Sequence, residues 1–209
     1  MIVMEHANNG SLLSYLDRNI NTLTWKDKLQ CLQNIAYRLS CIHRVGLVHC
    51  DIHGRNVLMH EERNSSVSAP FICDFGLSRS VNSRQQVSTI RGVLPFIAPE
   101  VFHTRKFTQK SDMYSLGIIM YLIATGKPPF GDSQFDGDLM RDIMGGLRPT
   151  MPDSAPEEYK KLAELCFDAD PNKRPDANTL WGNFCKLSWK VENDNSDNSI
   201  WNTIYYITS

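Results

Sequence analysis

Apolar positions change period several times along the chain, and each change marks an element. Over residues 24–44, Leu29, Leu32, Ile35, Ala36, Leu39 and Ile42 return at helical spacing. That spacing predicts a long helix with one buried stripe, stopped at Gly46. Ahead of it, residues 1–5 read as a short strand, Asn8-Asn9-Gly10 as a loop and Ser11 as the start of a helix. Between residues 47 and 77 the texture shifts to short apolar runs, LVH, NVLM and FIC, separated by polar turns, which suggests paired strands holding a loop. Residues 79–92 are polar and predict an exposed, mobile segment. Residues 111–125 are apolar almost all round, the signature of a helix through the core, and Gly126-Lys127-Pro128-Pro129 ends it. Two or three further helices are expected near 139–145, 157–167 and 177–187, followed by a stretch at 192–199 rich in Asn, Asp and Ser that should fray. The fold class is α+β, mainly α, with a small β element that carries the polar residues.

Composition narrows the function. With 42% hydrophobic residues the chain has enough apolar surface for one sizeable core. A net charge of -1 gives no global field towards nucleic acid, and the four tryptophans have no basic stripe beside them, so packing is their expected role. The longest apolar run, 116–124, is about half of what spans a bilayer. The start, Met1 to Met4, is interrupted by Glu5 and His6 and has no basic residue, so no signal peptide is expected. Six cysteines without a C-x-x-C pair read as free thiols of an intracellular, cytoplasmic chain. His6, His43, His60 and His103 lack metal-ligand spacing. Oligomeric state is left open.

Chemistry concentrates in VHCDIHGRNVL, residues 48–58, and in FICDFGLSR, residues 71–79. Asp51, Asn56 and Asp74 offer two carboxylates and an amide oxygen at loop or strand ends. Such oxygens suit Mg²⁺, which keeps few protein ligands and completes its shell with water and phosphate oxygens. One Asp and one Asn on the metal would leave the second Asp to hold a substrate hydroxyl and take its proton. Each residue alone reads more readily as a turn former, with Gly54 and Gly76 close by.

Taken in order, these segments resemble the protein kinase family. His49-Cys50-Asp51-Ile52-x-x-x-Asn56 is similar to the catalytic loop H-R-D-L-x-x-x-N, Asp74-Phe75-Gly76 to D-F-G, and Ala98-Pro99-Glu100 to A-P-E. The segments at 111–117, Lys127-Pro128-Pro129-Phe130 and Asp170-Pro171-x-x-Arg174-Pro175 resemble the family's core helix, the turn after it and its late arginine motif. The likeness covers residues 1–187 as a partial kinase domain of hinge and large helical lobe, with 188–209 as a C-terminal tail, and it implies ATP, Mg²⁺ and a protein substrate. By this resemblance Asp51 would be the catalytic Asp, and Asn56 and Asp74 the magnesium ligands. Met4 would be the gatekeeper, Glu5 and Ala7 would bond adenine through their backbones, and Leu58 would floor its pocket. His49 and Phe75 would pack beneath the site, Asp112 would fasten the catalytic loop, and Glu100 would pair with Arg174 in a buried bridge.

Departures from the family pattern shape the reading further. Cys50 stands where most kinases carry the Arg that clamps a phosphorylated activation-loop residue, a contact that a thiol cannot make. His53 replaces the usual Lys of serine/threonine kinases, Arg55 sits where many tyrosine kinases have an Arg, and Val93 replaces the usual Thr of the substrate-facing loop. The pattern resembles the tyrosine-kinase-like group, with Ser/Thr favoured over Tyr as acceptor. Ser80, Ser83, Ser88 and Thr89 lie where regulatory phosphorylation would fall. The glycine-rich loop, the V-A-I-K lysine and the αC glutamate of the small lobe have no counterpart, so the 209 residues alone should make a poor kinase. The alternative reading is a kinase-like scaffold without turnover.

Overall fold

The computed structural model describes residues 7–61, 68–83, 86–131 and 137–193. The strand expected at 1–5, with Met4 and Glu5, lies outside the described residues.

Helix α1, Leu12–Asn19, starts where Ser11 leaves the extended region and its Oγ accepts from the Ser14 N–H. Helix α2, Trp25–Arg44, opens with a reciprocal cap: Thr24 Oγ1 accepts from the Asp27 N–H, and the Asp27 carboxylate accepts from the Thr24 N–H. Two otherwise orphaned amide groups are satisfied at once. The stripe of Leu29, Leu32, Ile35, Ala36 and Leu39 is fully buried.

Two antiparallel ribbons follow. Strands β1, Leu47–Val48, and β4, Arg79–Ser80, form one; β2, Val57–His60, and β3, Ala69–Ile72, form the other. The pairing of β4 with β1 corrects the expectation of a wholly exposed segment at 79–92. Val87 is also buried there, with its N–H donating to the Arg105 carbonyl. Short helix α3, Pro99–Thr104, went unforeseen, because six residues are too few to display a helical period.

Helix α4, Gln109–Thr125, is buried at every residue from 111 to 120 and forms the axis of the core. Helices α5, Gly137–Met144, and α6, Glu157–Cys166, come next. Helix α6 meets α4 at Gly117, where a Cβ would lie 2.8 Å from Cys166 Cβ and 3.1 Å from the Phe167 backbone nitrogen. Helix α7, Ala177–Asn193, covers the stripe of α2, and Gln33 Nε2 donates to the Phe184 carbonyl 151 positions along the chain. It runs past the expected end at 187 and takes in Glu192 and Asn193. Its apolar face continues at helical spacing through Leu180, Phe184, Leu187 and the partly buried Val191. Lys190–Glu158 and Lys26–Glu192 ion pairs accompany these last turns.

Gly117→Ala is expected to destabilise the protein by about 1–3 kcal/mol, because an added methyl must push α4 and α6 apart. A urea unfolding curve reads this directly; an unchanged midpoint would mean that the helices separate without cost.

Candidate active site

The site is built outward from the Asp112 side chain, which α4 holds in the core at 1% exposure. Its Oδ2 accepts from the His49 N–H at 2.8 Å and its Oδ1 from the Cys50 N–H at 3.0 Å. Nε2 of His43, in the last turn of α2, lies 2.9 Å from the same Oδ2. A buried carboxylate is stable only when its lone pairs are met, and here two backbone donors and an imidazole meet them. The bonds hold Cys50 at φ 71°, a left-handed conformation that a non-glycine residue adopts only when its surroundings impose it.

His49 then joins two segments. Its Nδ1 accepts from the Asp51 N–H at 3.3 Å, which leaves Nε2 to donate to the Cys73 carbonyl at 3.0 Å. A neutral ring with its proton on Nε2 satisfies both bonds. Phe75 rests against this ring, centroids 5.0 Å apart, but is 47% exposed, so its other side is not packed under the site as expected.

Asp51 and Asn56 are locked together. Asn56 Nδ2 donates to the Asp51 carbonyl at 2.9 Å and to Asp51 Oδ2 at 3.1 Å. On the other side His53 Nε2 lies 3.5 Å from Asp51 Oδ1, while His53 Nδ1 accepts from the Arg55 N–H. The hydrogen bond from His53 is the main cause holding the Asp51 carboxyl below its ordinary pKa, with Asn56 acting in the same direction and partial burial opposing both. Committing Nδ2 to Asp51 leaves Asn56 Oδ1 as an oxygen donor.

Register sets Asp74 beside it. Val57 pairs with Ile72, and the Cys73 N–H donates to the Asn56 carbonyl at 2.9 Å, so Asp74 leaves β3 next to Asn56. Asp74 sits at φ 61°, and its Oδ1 accepts from the Gly76 N–H across the 3-10 turn Phe75–Leu77. Asn56 and Asp74 thus offer an oxygen-only set that fits a hard cation completed by water or phosphate. No cluster of three or more His, Cys, Asp or Glu that could hold a metal occurs among the described residues.

The remaining expected residues spread around this centre. Segment 9–11 runs antiparallel along β2, with Asn9 N–H to Met59 carbonyl at 3.1 Å and Met59 N–H to Gly10 carbonyl at 2.8 Å. Leu58 belongs to this ribbon and Ala7 precedes it, its carbonyl accepting from the Gly10 N–H at 3.4 Å; both are half-buried. Glu100 and Arg174 form a two-pronged bridge at 2.7 and 2.8 Å, with the arginine side chain fully buried and the glutamate partly buried. Arg174 Nε and Nη1 also donate to the carbonyls of Asp168 and Lys110. Ser80 lies on β4, and Ser83, Ser88 and Thr89 are exposed. Ser88 and Thr89 line a cavity of about 240 Å³ with Cys50, Arg79 and Arg91. Burial pushes the Cys50 thiol up to about 12, assisted by the Asp112 charge.

Sequence reading missed His43 as a partner of Asp112. It also missed Gln109, whose Nε2 donates to the carbonyls of His43 and Leu47. Neither carries a spacing signal, since their use depends on where α2 and α4 cross.

Comparison with known proteins bears on this geometry. A family model described as protein tyrosine and serine/threonine kinase matches residues 1–184. The chain belongs to the protein kinase family. Among similar proteins, a probable serine/threonine-protein kinase of Dictyostelium discoideum is 30% identical over 88% of this chain and 11% of its own length. The probable serine/threonine-protein kinase roco5 of the same organism is 33% identical over 83% of the chain and 6% of its own. A putative serine/threonine-protein kinase/receptor of Acanthamoeba polyphaga mimivirus is 34% identical over 83% and 10%. The chain therefore spans about a tenth or less of the length of these relatives. The kinase fold is present here as its mainly helical lobe, in a family that uses ATP and Mg²⁺. No described helix is long and apolar enough to cross a membrane.

Two outcomes follow for this kinase lobe. Glu100→Ala leaves the buried Arg174 charge without its carboxylate and is expected to cost about 3–5 kcal/mol in denaturant unfolding. A loss under about 1 kcal/mol would mean that the Arg174 carbonyl contacts suffice. Because only the thiolate reacts, Cys50 should stay unmodified by iodoacetamide at pH 8 in the native protein and react once urea is added. Mass spectrometry of the tryptic peptides checks this, and fast native labelling would contradict the burial.

Proposed function

We propose that this chain supplies the catalytic lobe of a serine/threonine kinase that transfers the γ-phosphate of ATP to a protein hydroxyl. The observation carrying this reading is the Asp51–Asn56 lock. The amide nitrogen is turned to the catalytic carboxylate and the amide oxygen is left for a cation beside Asp74.

In this reading Asp51 orients the acceptor hydroxyl and takes its proton as the phosphoryl group moves. A carboxyl held below its usual pKa is a weak base. That suits a loose transition state, in which positioning matters more than early proton removal. Asn56 and Asp74 would hold Mg²⁺, which supplies positive charge against the β- and γ-phosphates. His49 and Asp112 position the loops that carry these groups, Phe75 rests on the His49 ring, and Glu100 with Arg174 braces the segment between them. Ala7 and Leu58 would contribute to the adenine pocket together with Met4 and Glu5. Ser80, Ser83, Ser88 and Thr89 would be regulatory phosphorylation positions, and Arg79 and Arg91 around the cavity beside Ser88 and Thr89 supply charge that Cys50 does not. The acceptor preference for Ser/Thr is supported by the names of the relatives.

The test uses protein immunopurified from its own cells, Mg·ATP labelled at the γ-phosphate and a generic protein acceptor. Asp51→Asn and Asp74→Asn are each expected to lower incorporation at least about 100-fold while leaving the unfolding midpoint nearly unchanged. Undiminished labelling in both variants would locate the activity elsewhere.

A further inference from the structure

A groove of about 340 Å³ runs between helices α6 and α7, and none of the residues lining it belongs to the site around Asp51. Its floor is apolar: Leu187 is buried and Leu162 partly so. Lysines stand on both rims, Lys161 on α6 and Lys186 and Lys190 on α7, against one carboxylate, Glu158. Glu158 pairs with Lys190, whereas Lys161 and Lys186 form no ion pair among the described residues. An apolar floor between positive rims fits an uncharged apolar segment with carboxylates beside it.

The chain carries such a segment directly after α7. Residues 194–209 lie outside the described residues, and their sequence divides in two. Residues 194–199, DNSDNS, are turn-forming types with carboxylates at Asp194 and Asp197. Residues 200–207, IWNTIYYI, hold no charge and include Ile200, Trp201, Ile204 and three further large apolar or aromatic side chains. Asn183, Lys186, Leu187 and Lys190 recur on one face of α7, and Asn193, three residues on, continues that face. The chain therefore leaves α7 at the end of the groove. Six residues reach at most about 20 Å, and α7 from Asn193 back to Asn183 is about 15 Å long. The spacer is long enough to reverse and bring Trp201 to Leu187.

We propose that residues 200–207 fold back within the same chain and occupy this groove, Trp201 against Leu162 and Leu187, with Asp194 and Asp197 beside the lysines. The inference stands apart from the kinase reading of Asp51. Burial of one aromatic side chain favours the occupied groove by about tenfold. The exposed lysines add only a few-fold, because solvent screens them, and that part fades with salt. A short spacer holds the segment at an effective concentration on the order of millimolar, which a second copy in dilute solution does not match.

The experiment uses the 209-residue chain and a fluorescent peptide of residues 194–209. Carbodiimide joins carboxylates to lysines in contact, and mass spectrometry of the monomer fraction is expected to find Asp197 linked to Lys161 or Lys186. Trp201→Ser combined with Ile204→Ser vacates the groove without touching any described helix. In that variant the link should fall at least about fivefold, and the peptide should bind about tenfold more tightly than to the unaltered chain. Adding Lys161→Glu and Lys186→Glu, both at exposed positions, should weaken that binding a few-fold. Links confined to a dimer fraction overturn the proposal in favour of a second copy. Links from Asp197 to Lys26 overturn it by placing the segment on the α2 side of α7. Equal peptide binding by both chains, or binding indifferent to the lysine changes, overturns it as well.

Discussion

The requirement to satisfy one buried carboxylate organises this lobe. Asp112 sits on the most enclosed helix, where a negative charge without donors would cost several kcal/mol. The chain meets that demand with the backbone of His49 and Cys50, so the loop leading to Asp51 cannot drift without stranding the charge. The left-handed geometry at Cys50 is the local cost of this attachment, and it turns the following residues towards Asn56. A helix in the core thereby fixes, through two amide hydrogens, the starting point of a catalytic loop.

From that anchor the order passes on through short contacts. His49 connects the Asp51 backbone to the Cys73 carbonyl, and Cys73 in turn bonds the Asn56 carbonyl. Every residue in this ring of contacts belongs to a loop or a strand end, but each is tied to a neighbour across the site rather than along the chain. Side chains held in this way lose little further freedom when a ligand arrives, the condition under which positioning can lower a barrier. The exposed Phe75 and Asp74 stand apart from the ring: they hang from it through His49 and the 3-10 turn, not through packing of their own.

Helices with a strong period were legible in the sequence. The stripe of α2 and the all-round apolar α4 lie where spacing puts them, although α4 starts at Gln109, two residues earlier than expected, because Thr108 caps it. Elements too short to show a period were not: α3 spans six residues, and β4 pairs only Arg79 and Ser80 with β1. The end of α7 was misplaced because polar composition after Leu187 outweighed the single apolar contact of Val191. At the site, turn chemistry left Asp51, Asn56 and Asp74 ambiguous one by one, and the ordered resemblance to kinase motifs brought them together. The contact of His43 with Asp112 arises from segments distant in sequence, and no local pattern encodes it.

The pairing of α2 with α7 bears on how the protein comes into being. The stripe of α2 is complete once residue 44 has been made, yet the helix that covers it starts at Ala177. On a ribosome, the leucines and isoleucines of α2 must wait until residues 45–176 and then α7 have been made before their cover emerges. Closing so long a loop is slow, and a bare apolar face is open to aggregation meanwhile. Nascent chains of this lobe should therefore be clients of holding chaperones from the completion of α2 until α7 emerges, with docking of α7 as the step that frees them.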